Sequence, residues 1–347
     1  MSYLRSFTFL AILALTVTAC GGAAKPPASA PPATAAGASS SASSSVGALE
    51  KITDLRLDYA YYSPPSLVLK KMGWVEQAFP GTNVKWVLSA GSAPALNYLQ
   101  ANAVDFGSTA GSAALLSRAN GNPIKVVYIY EQPEWTALVV AKSSTAKSIT
   151  DLRGKKVSTL KGTDPYFFML RTLHQAGMSQ ADIQFVDQPY AEGQIALERG
   201  QVDGWVGLDP LMAASELHAG SKLIYRNKDF NTYGFLNARE DFLKKYPNVT
   251  KKVIELYERA RKWVIDHPDD TAQILSDAAQ VPLDVAKREL TDRMVFTVSP
   301  VPGETQANVL RAVIPIIQEE HLAKQGVDLE KTINDLIDPQ YAQAVVK

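Results

Sequence analysis

Cysteine is nearly absent from this chain. Its 347 residues hold one, Cys20, so no intramolecular disulfide can form. Histidine is scarce as well: His174, His218, His267 and His321 fall in segments that read as helices or helix ends. Neither a His-Glu-x-x-His nor a Cys-His spacing occurs, so no metal site is indicated. The chain also lacks a P-loop, a Gly-x-Gly-x-x-Gly and a Gly-x-Ser-x-Gly turn. No cofactor is expected, and no catalytic constellation is visible. An excess of one charge is missing too, since 35 basic residues face 35 acidic ones, which removes the bulk electrostatic reason to expect nucleic-acid binding.

One apolar run stands out at the start, Phe7 to Val17, and it is too short for a comfortable membrane span. It follows a single positive charge in Met1 to Arg5 and precedes Val17-Thr18-Ala19-Cys20. This arrangement resembles a bacterial lipoprotein signal peptide. Residues 1–19 are read as the signal, and Cys20 as the lipidated first residue of a mature chain on the extracytoplasmic face of a membrane. Residues 20–50 are mostly Ala, Ser, Pro and Gly and lack aromatics, so they cannot bury a core and read as a flexible tether. Roughly 300 residues remain, enough for two lobes.

Those residues alternate between short apolar runs and helical patterns, which argues for an α/β fold. Val157 to Leu160 reads as a strand and Pro165 to Gln175 as a helix, joined by Lys161-Gly162-Thr163-Asp164-Pro165. Gly162 permits a sharp exit, Thr163 or Asp164 can take the free amides of the first turn, and Pro165 suits a first helical position. Similar strand-to-helix turns recur. Leu99 to Asp105 is echoed by Leu197 to Asp203, each of the form Leu, four residues, Val-Asp, and neighbouring strands echo at nearly the same offset. The repeat predicts two lobes of similar build, the first from 51–140 and 231–347, the second from 141–230. Ligands of open α/β sheets sit at the carboxyl ends of strands, so the turns would line a cleft between the lobes.

Tyr62, Ser63, Ser92, Thr109, Ser112, Gly162, Thr163, Asp164, Tyr190 and Asp209 occupy such turns and are the candidate ligand-binding residues. Hydroxyls and backbone N–H groups at helix starts suit an oxyanion, although capping alone also explains each one. Trp86, Trp135 and Trp205 alternate with apolar neighbours and read as core or hinge residues. Helices follow Val249, one of them spanning Thr305 to Lys324 with a kink expected at Pro315.

From about Asp54 onward the chain resembles the solute-binding proteins of bacterial ABC importers for aliphatic sulfonates, taurine and nitrate. The resemblance is densest in Asp105-Phe106-Gly107, Ser148 to Val157, Lys161-Gly162-Thr163, Glu198 to Trp205 and Leu336-Ile337-Asp338. It implies a two-lobed type II periplasmic binding fold, with a parallel-rich sheet in each lobe and helices on both faces. It further implies a monomer that captures a small anionic or zwitterionic solute, foremost an aliphatic sulfonate or taurine-like compound, and docks on an ABC permease. Nitrate, a carboxylate or a thiamine precursor are the alternatives. An enzyme is not expected: the family's enzymatic relative, the fungal synthase of the thiamine pyrimidine, uses an iron-linked cysteine cluster that has no counterpart here. Leu208-Asp209-Pro210 stands where such proteins often have Trp-Asp-Pro, and Asp164 where many sulfonate binders have a small neutral residue. A carboxylate at that turn leads to the expectation that Asp164 faces an amine on the solute.

Overall fold

The structure is a computed structural model that describes residues 47–346. The signal, Cys20 and nearly all of the tether lie outside the described residues. Glu50, at the end of the expected tether, is fixed. Its carboxylate accepts the amide N–H groups of Asn248 and Val249 at 2.9–3.1 Å, capping the start of a long helix from a distant part of the chain.

The chain first lays down β1 (Asp54–Tyr59), α1 (Pro64–Met72), α2 (Trp74–Ala78), β2 (Asn83–Leu88), α3 (Ser92–Gln100), β3 (Phe106–Ala110), α4 (Gly111–Ala119) and β4 (Ile124–Pro133). It crosses to a second sheet through β5 (Leu138–Val140), β6 (Lys156–Thr159), α5 (Asp164–Gln175), β7 (Gln184–Asp187), α6 (Tyr190–Glu198), β8 (Gly204–Val206), α7 (Leu211–Ala214) and β9 (Lys222–Tyr225). It returns through β10 (Gly234–Arg239) and continues with α8 (Glu240–Lys245), α9 (Pro247–Asp266), α10 (Pro268–Ala279), α11 (Leu283–Asp292) and β11 (Met294–Val295). Four more helices complete it: α12 (Glu304–Arg311), α13 (Ile314–Glu319), α14 (Leu329–Leu336) and α15 (Gln340–Val345).

Six strands form one sheet in the order β11-β4-β10-β3-β1-β2 and five form the other, β7-β6-β8-β5-β9. Parallel pairing links β1 with β2 and β3, and β6 with β7 and β8. The strands next to the crossings, β10 and β5, run antiparallel to both their neighbours, so each sheet is mixed. Leu138–Val140 pairs in the second sheet, although 51–140 was expected in the first lobe: the chain has already crossed once past Pro133.

Amphipathic helices seal both sheets. Val253, Ile254 and Tyr257 of α9 pack on Leu55, Phe106 and Tyr128 of the first sheet, a face spaced at the helical repeat. Phe167, Phe168 and Leu173 of α5 cluster with Val157 of the second. The helix expected from Thr305 to Lys324 is two helices instead. Pro315 falls in the first turn of α13, where its missing N–H costs nothing, and the break comes just ahead of it.

The Val-Asp echo has a physical basis. The Asp105 N–H donates to the Arg56 carbonyl (2.8 Å) while its carboxylate accepts the Arg56 N–H (2.9 Å). Asp203 does the same with Lys156, at 2.9 and 3.0 Å. In each lobe the chain leaves a helix through an equivalent turn, Ala103 N–H to Tyr98 O and Gln201 N–H to Ala196 O, both 2.8 Å. The aspartate then clamps the incoming strand to the start of its neighbour. Only Asp105 is buried, and it also pairs with the guanidinium groups of Arg56 (2.6 Å) and Arg239 (2.9 Å). Asp105→Ala takes a buried charged acceptor from Arg56 and Arg239, although Arg239 keeps Asp241 and the Val104 carbonyl, and should cost about 2 kcal/mol of unfolding free energy, whereas Asp203→Ala should cost about 1 kcal/mol. Urea denaturation of both variants checks the difference.

Candidate functional site

The ends of β1 and β2 in the first lobe, at Tyr61, Tyr62, Ser89 and Ala90, face two second-lobe turns, Pro189 to Ala191 and Leu208 to Leu211. Ala279, the last residue of α10, and Val281, just before α11, close one side. Together they enclose about 210 Å³. Larger depressions, of about 540 Å³ around Ala141–Lys147 and about 420 Å³ beside Trp74 and α9, each lie on one lobe. Of these three, the smaller cavity alone draws its walls from both. Those walls are mainly apolar, and neither Lys nor Arg is among them.

Tyr62 and Tyr190 flank the cavity and are held rigid. The Tyr62 hydroxyl donates to the Ser108 carbonyl (2.9 Å), and its ring meets the Trp135 ring edge-on at 5.7 Å. The Tyr190 hydroxyl donates to Thr163 Oγ1 (2.5 Å), which donates to the Leu160 carbonyl (2.6 Å). Burial pushes both phenols up, so they remain neutral donors. Gly91, with φ of 142°, brings the first lobe against Tyr190: a Cβ there would sit 3.3 Å from the ring. That close approach calls for glycine.

Of the candidates from the sequence, Tyr62, Tyr190 and Asp209 line the cavity. The other hydroxyls are bound to protein. Ser63 Oγ lies 3.4 Å from Ser108 Oγ, Ser92 Oγ accepts the Ala110 N–H (2.9 Å), and Thr109 Oγ1 accepts from Asn237 Nδ2 (2.7 Å). Gly162 takes φ of 76° at the sharp turn. Asp164 is no N-cap, and its carboxylate is not directed at a solute amine. It is buried and accepts from Ser112 Oγ (2.5 Å), Thr232 Oγ1 (2.7 Å), Thr232 N–H (2.9 Å) and Trp135 Nε1 (3.0 Å). Four donors fill the acceptor sites of a carboxylate. Trp135 and Trp205 are buried as expected of core residues, whereas Trp86 is half-buried with its indole N–H on Glu76.

Arg293 is a residue the sequence did not single out. It sits just past α11, yet its Nη1 meets both oxygens of Asp209 across the lobe boundary (2.6 and 2.8 Å), and its Nη2 pairs with Glu216. Asp209 also accepts the Ala213 N–H (2.8 Å), so helix capping and ion pairing share one side chain. Behind this pair lie Glu131 and Glu289, fully buried with no hydrogen-bond partner for any carboxyl oxygen. Burial holds both well above the usual carboxylate range, which favours their protonated form.

Asp58, at the floor of the first lobe, is also fully buried. Burial pushes its carboxyl up to about 7, against the opposing pull of the Ser108 amide and hydroxyl (2.8–3.1 Å). The Ser89 hydroxyl leans on it without completing a hydrogen bond.

A family model described as NMT1/THI5 like matches residues 64–271. The chain belongs to this family. A putative aliphatic sulfonates-binding protein of Escherichia coli (strain K12) is 26% identical over 281 residues, covering 80% of this chain and 88% of that one. Its namesake in Bacillus subtilis (strain 168) is 25% identical over 306 residues, covering 87% and 90%. Among solved structures, the alkanesulfonate-binding protein SsuA from Xanthomonas axonopodis pv. citri, bound to MOPS, superimposes with a TM-score of 0.74 at 22% identity, covering 82% of this chain and 98% of that one. The NMT1/THI5-like chain thus has the two-lobed fold of the periplasmic binding proteins.

The raised Asp58 carboxyl makes stability depend on pH. The folded state binds this proton more tightly than the unfolded chain, so the stabilisation is complete below about pH 4 and is lost as the pH rises through about 7. Asp58→Asn should therefore remove up to about 4 kcal/mol of decline across that window. Denaturant titrations of both proteins between pH 4 and 8 check it: parallel curves would exclude the assignment.

Proposed function

We propose that the chain is an extracytoplasmic solute-binding lipoprotein, anchored through Cys20, that captures a small organic solute between its two lobes. It then delivers the solute unchanged to the permease of an ABC importer. The solute class is an aliphatic sulfonate or a taurine-like compound. The observation that carries this reading is the interlobe cavity of about 210 Å³, with Leu208, Leu211, Ala279 and Val281 in its walls. Such walls favour an aliphatic body, at roughly 25 cal/mol for each Å² of apolar surface withdrawn from water. The headgroup is received at the start of α6, where Tyr190 and Ala191 line the cavity and first-turn amides have no carbonyl partner within the helix. The names of the sulfonate-binding relatives support the same choice.

A second reading, a thiamine precursor in the same cleft, is favoured by the two tyrosines that flank it and by the lack of a cationic side chain in its walls.

Calorimetric titration with ethane-, butane- and hexanesulfonate, taurine and a hydroxymethylpyrimidine separates these. Affinity should rise about fourfold for each methylene buried, in line with about 0.8 kcal/mol per CH₂, until the cavity is full. Binding of the pyrimidine alone would favour the second reading, and no binding by either class would reject both. In the same preparation, a Cys20→Ser protein should appear in the soluble fraction, and persistent pelleting with membranes would contradict the anchor.

A further inference from the structure

Asp164 belongs to the first turn of α5, yet its carboxylate does not serve its own helix. It reaches into the first lobe, to a place built by three separate stretches of chain: the start of α4 at Ser112, the outgoing crossing at Trp135, and the returning one at Thr232. All four donors are neutral, and Asp164 is 1% exposed.

The helix start behind these donors completes the pattern. Ala110, the residue before α4, makes no side-chain cap. Instead the N–H groups of Gly111 (2.8 Å) and Ser112 (3.2 Å) donate to Thr232 Oγ1, whose own proton goes to Asp164 Oδ1 (2.7 Å). The partial positive charge of a nine-residue helix is thereby passed, through one hydroxyl, to a buried anion. Two hydroxyls, an indole N–H and a backbone N–H converging on one carboxylate form the donor set of an oxyanion receptor, already filled.

We propose that Asp164 is a built-in anion and a specificity-determining residue. It fills, with its own carboxylate, an oxyanion site at the start of α4, and so excludes small oxyanions such as formate and nitrate that need little more than those donors. A second anion beside it would lack donors and meet like charge in a poorly solvated place. The solute headgroup is left with the start of α6, and selection falls to the apolar cavity. This rests on the binding-protein reading and narrows it to solutes recognised by their body as well as their charge.

Truncation tests it by gain of binding. Asp164→Ala frees the four donors and the volume of a carboxyl group, so sodium formate should raise its melting temperature saturably, by about 5 °C at a hundredfold excess over Kd. Nitrate should act similarly. The unmodified protein and Asp164→Asn, whose amide still fills the space, should not respond beyond the effect of equal sodium chloride. A flat response of the alanine variant, or an equal response of the unmodified protein, would overturn the proposal. If the alanine variant folds only when formate is supplied, that is the expected result in its strongest form. If it folds in no salt, Asp164→Ser takes its place: a saturable rise in melting temperature with formate supports the proposal, and a flat response overturns it. Alkanesulfonate binding by the unmodified protein is measured separately, so its failure would reject the solute class while the formate response still decides the role of Asp164.

Discussion

A carboxylate taken out of water must be surrounded by donors, and meeting that requirement at Asp164 ties together parts of the chain that share no other reason to meet. The second lobe supplies the anion, the first lobe supplies Ser112, and the two crossings supply Trp135 and Thr232. Around it the crossings are fastened to each other: the Thr136 N–H donates to Asn231 Oδ1 (3.1 Å), and Arg226 grips Glu134 with two bonds of 2.7 and 3.0 Å. Satisfying this buried group helps to fix the relative placement of the lobes.

A second buried polar layer does comparable work on the far side of the cavity. Arg293 carries one positive charge among Asp209, Glu216, Glu289 and Glu131. A single guanidinium cannot neutralise four carboxylates in a medium of low dielectric. The cluster is tolerable because burial favours the protonated form of Glu131 and Glu289, while Asp209 and Glu216 form the ion pairs. Both layers lie beside apolar contact that also crosses the boundary, since Phe235 and Leu310 of the first lobe share one buried cluster with Val157 and Phe167 of the second.

Much of the architecture was legible in the sequence because it depends on local pattern. Apolar period, Gly162 and Pro165 at a turn, and the repeated Leu-to-Val-Asp stretch each reflect interactions within one strand-helix-strand unit. Asp105 and Asp203 turn out to clamp neighbouring strands in the same way. The partners of the candidate site residues were not legible. Ser92, Thr109 and Ser112 look alike in sequence, all hydroxyls at strand ends, but one holds a neighbouring strand, one binds Asn237 and one reaches the other lobe. Arg293 and Thr232 lie far along the chain from Asp209 and Asp164, and neither sits in a motif. What they do depends on where the crossings bring them.

The account stands on a cavity that two lobes share, so it is tested most directly by whether a bound solute draws them together in solution. Small-angle X-ray scattering of the protein alone and with saturating hexanesulfonate should show a smaller radius of gyration and a narrower distance distribution in the second sample. Superimposable profiles, at a concentration where calorimetry shows the solute bound, would contradict capture between the lobes.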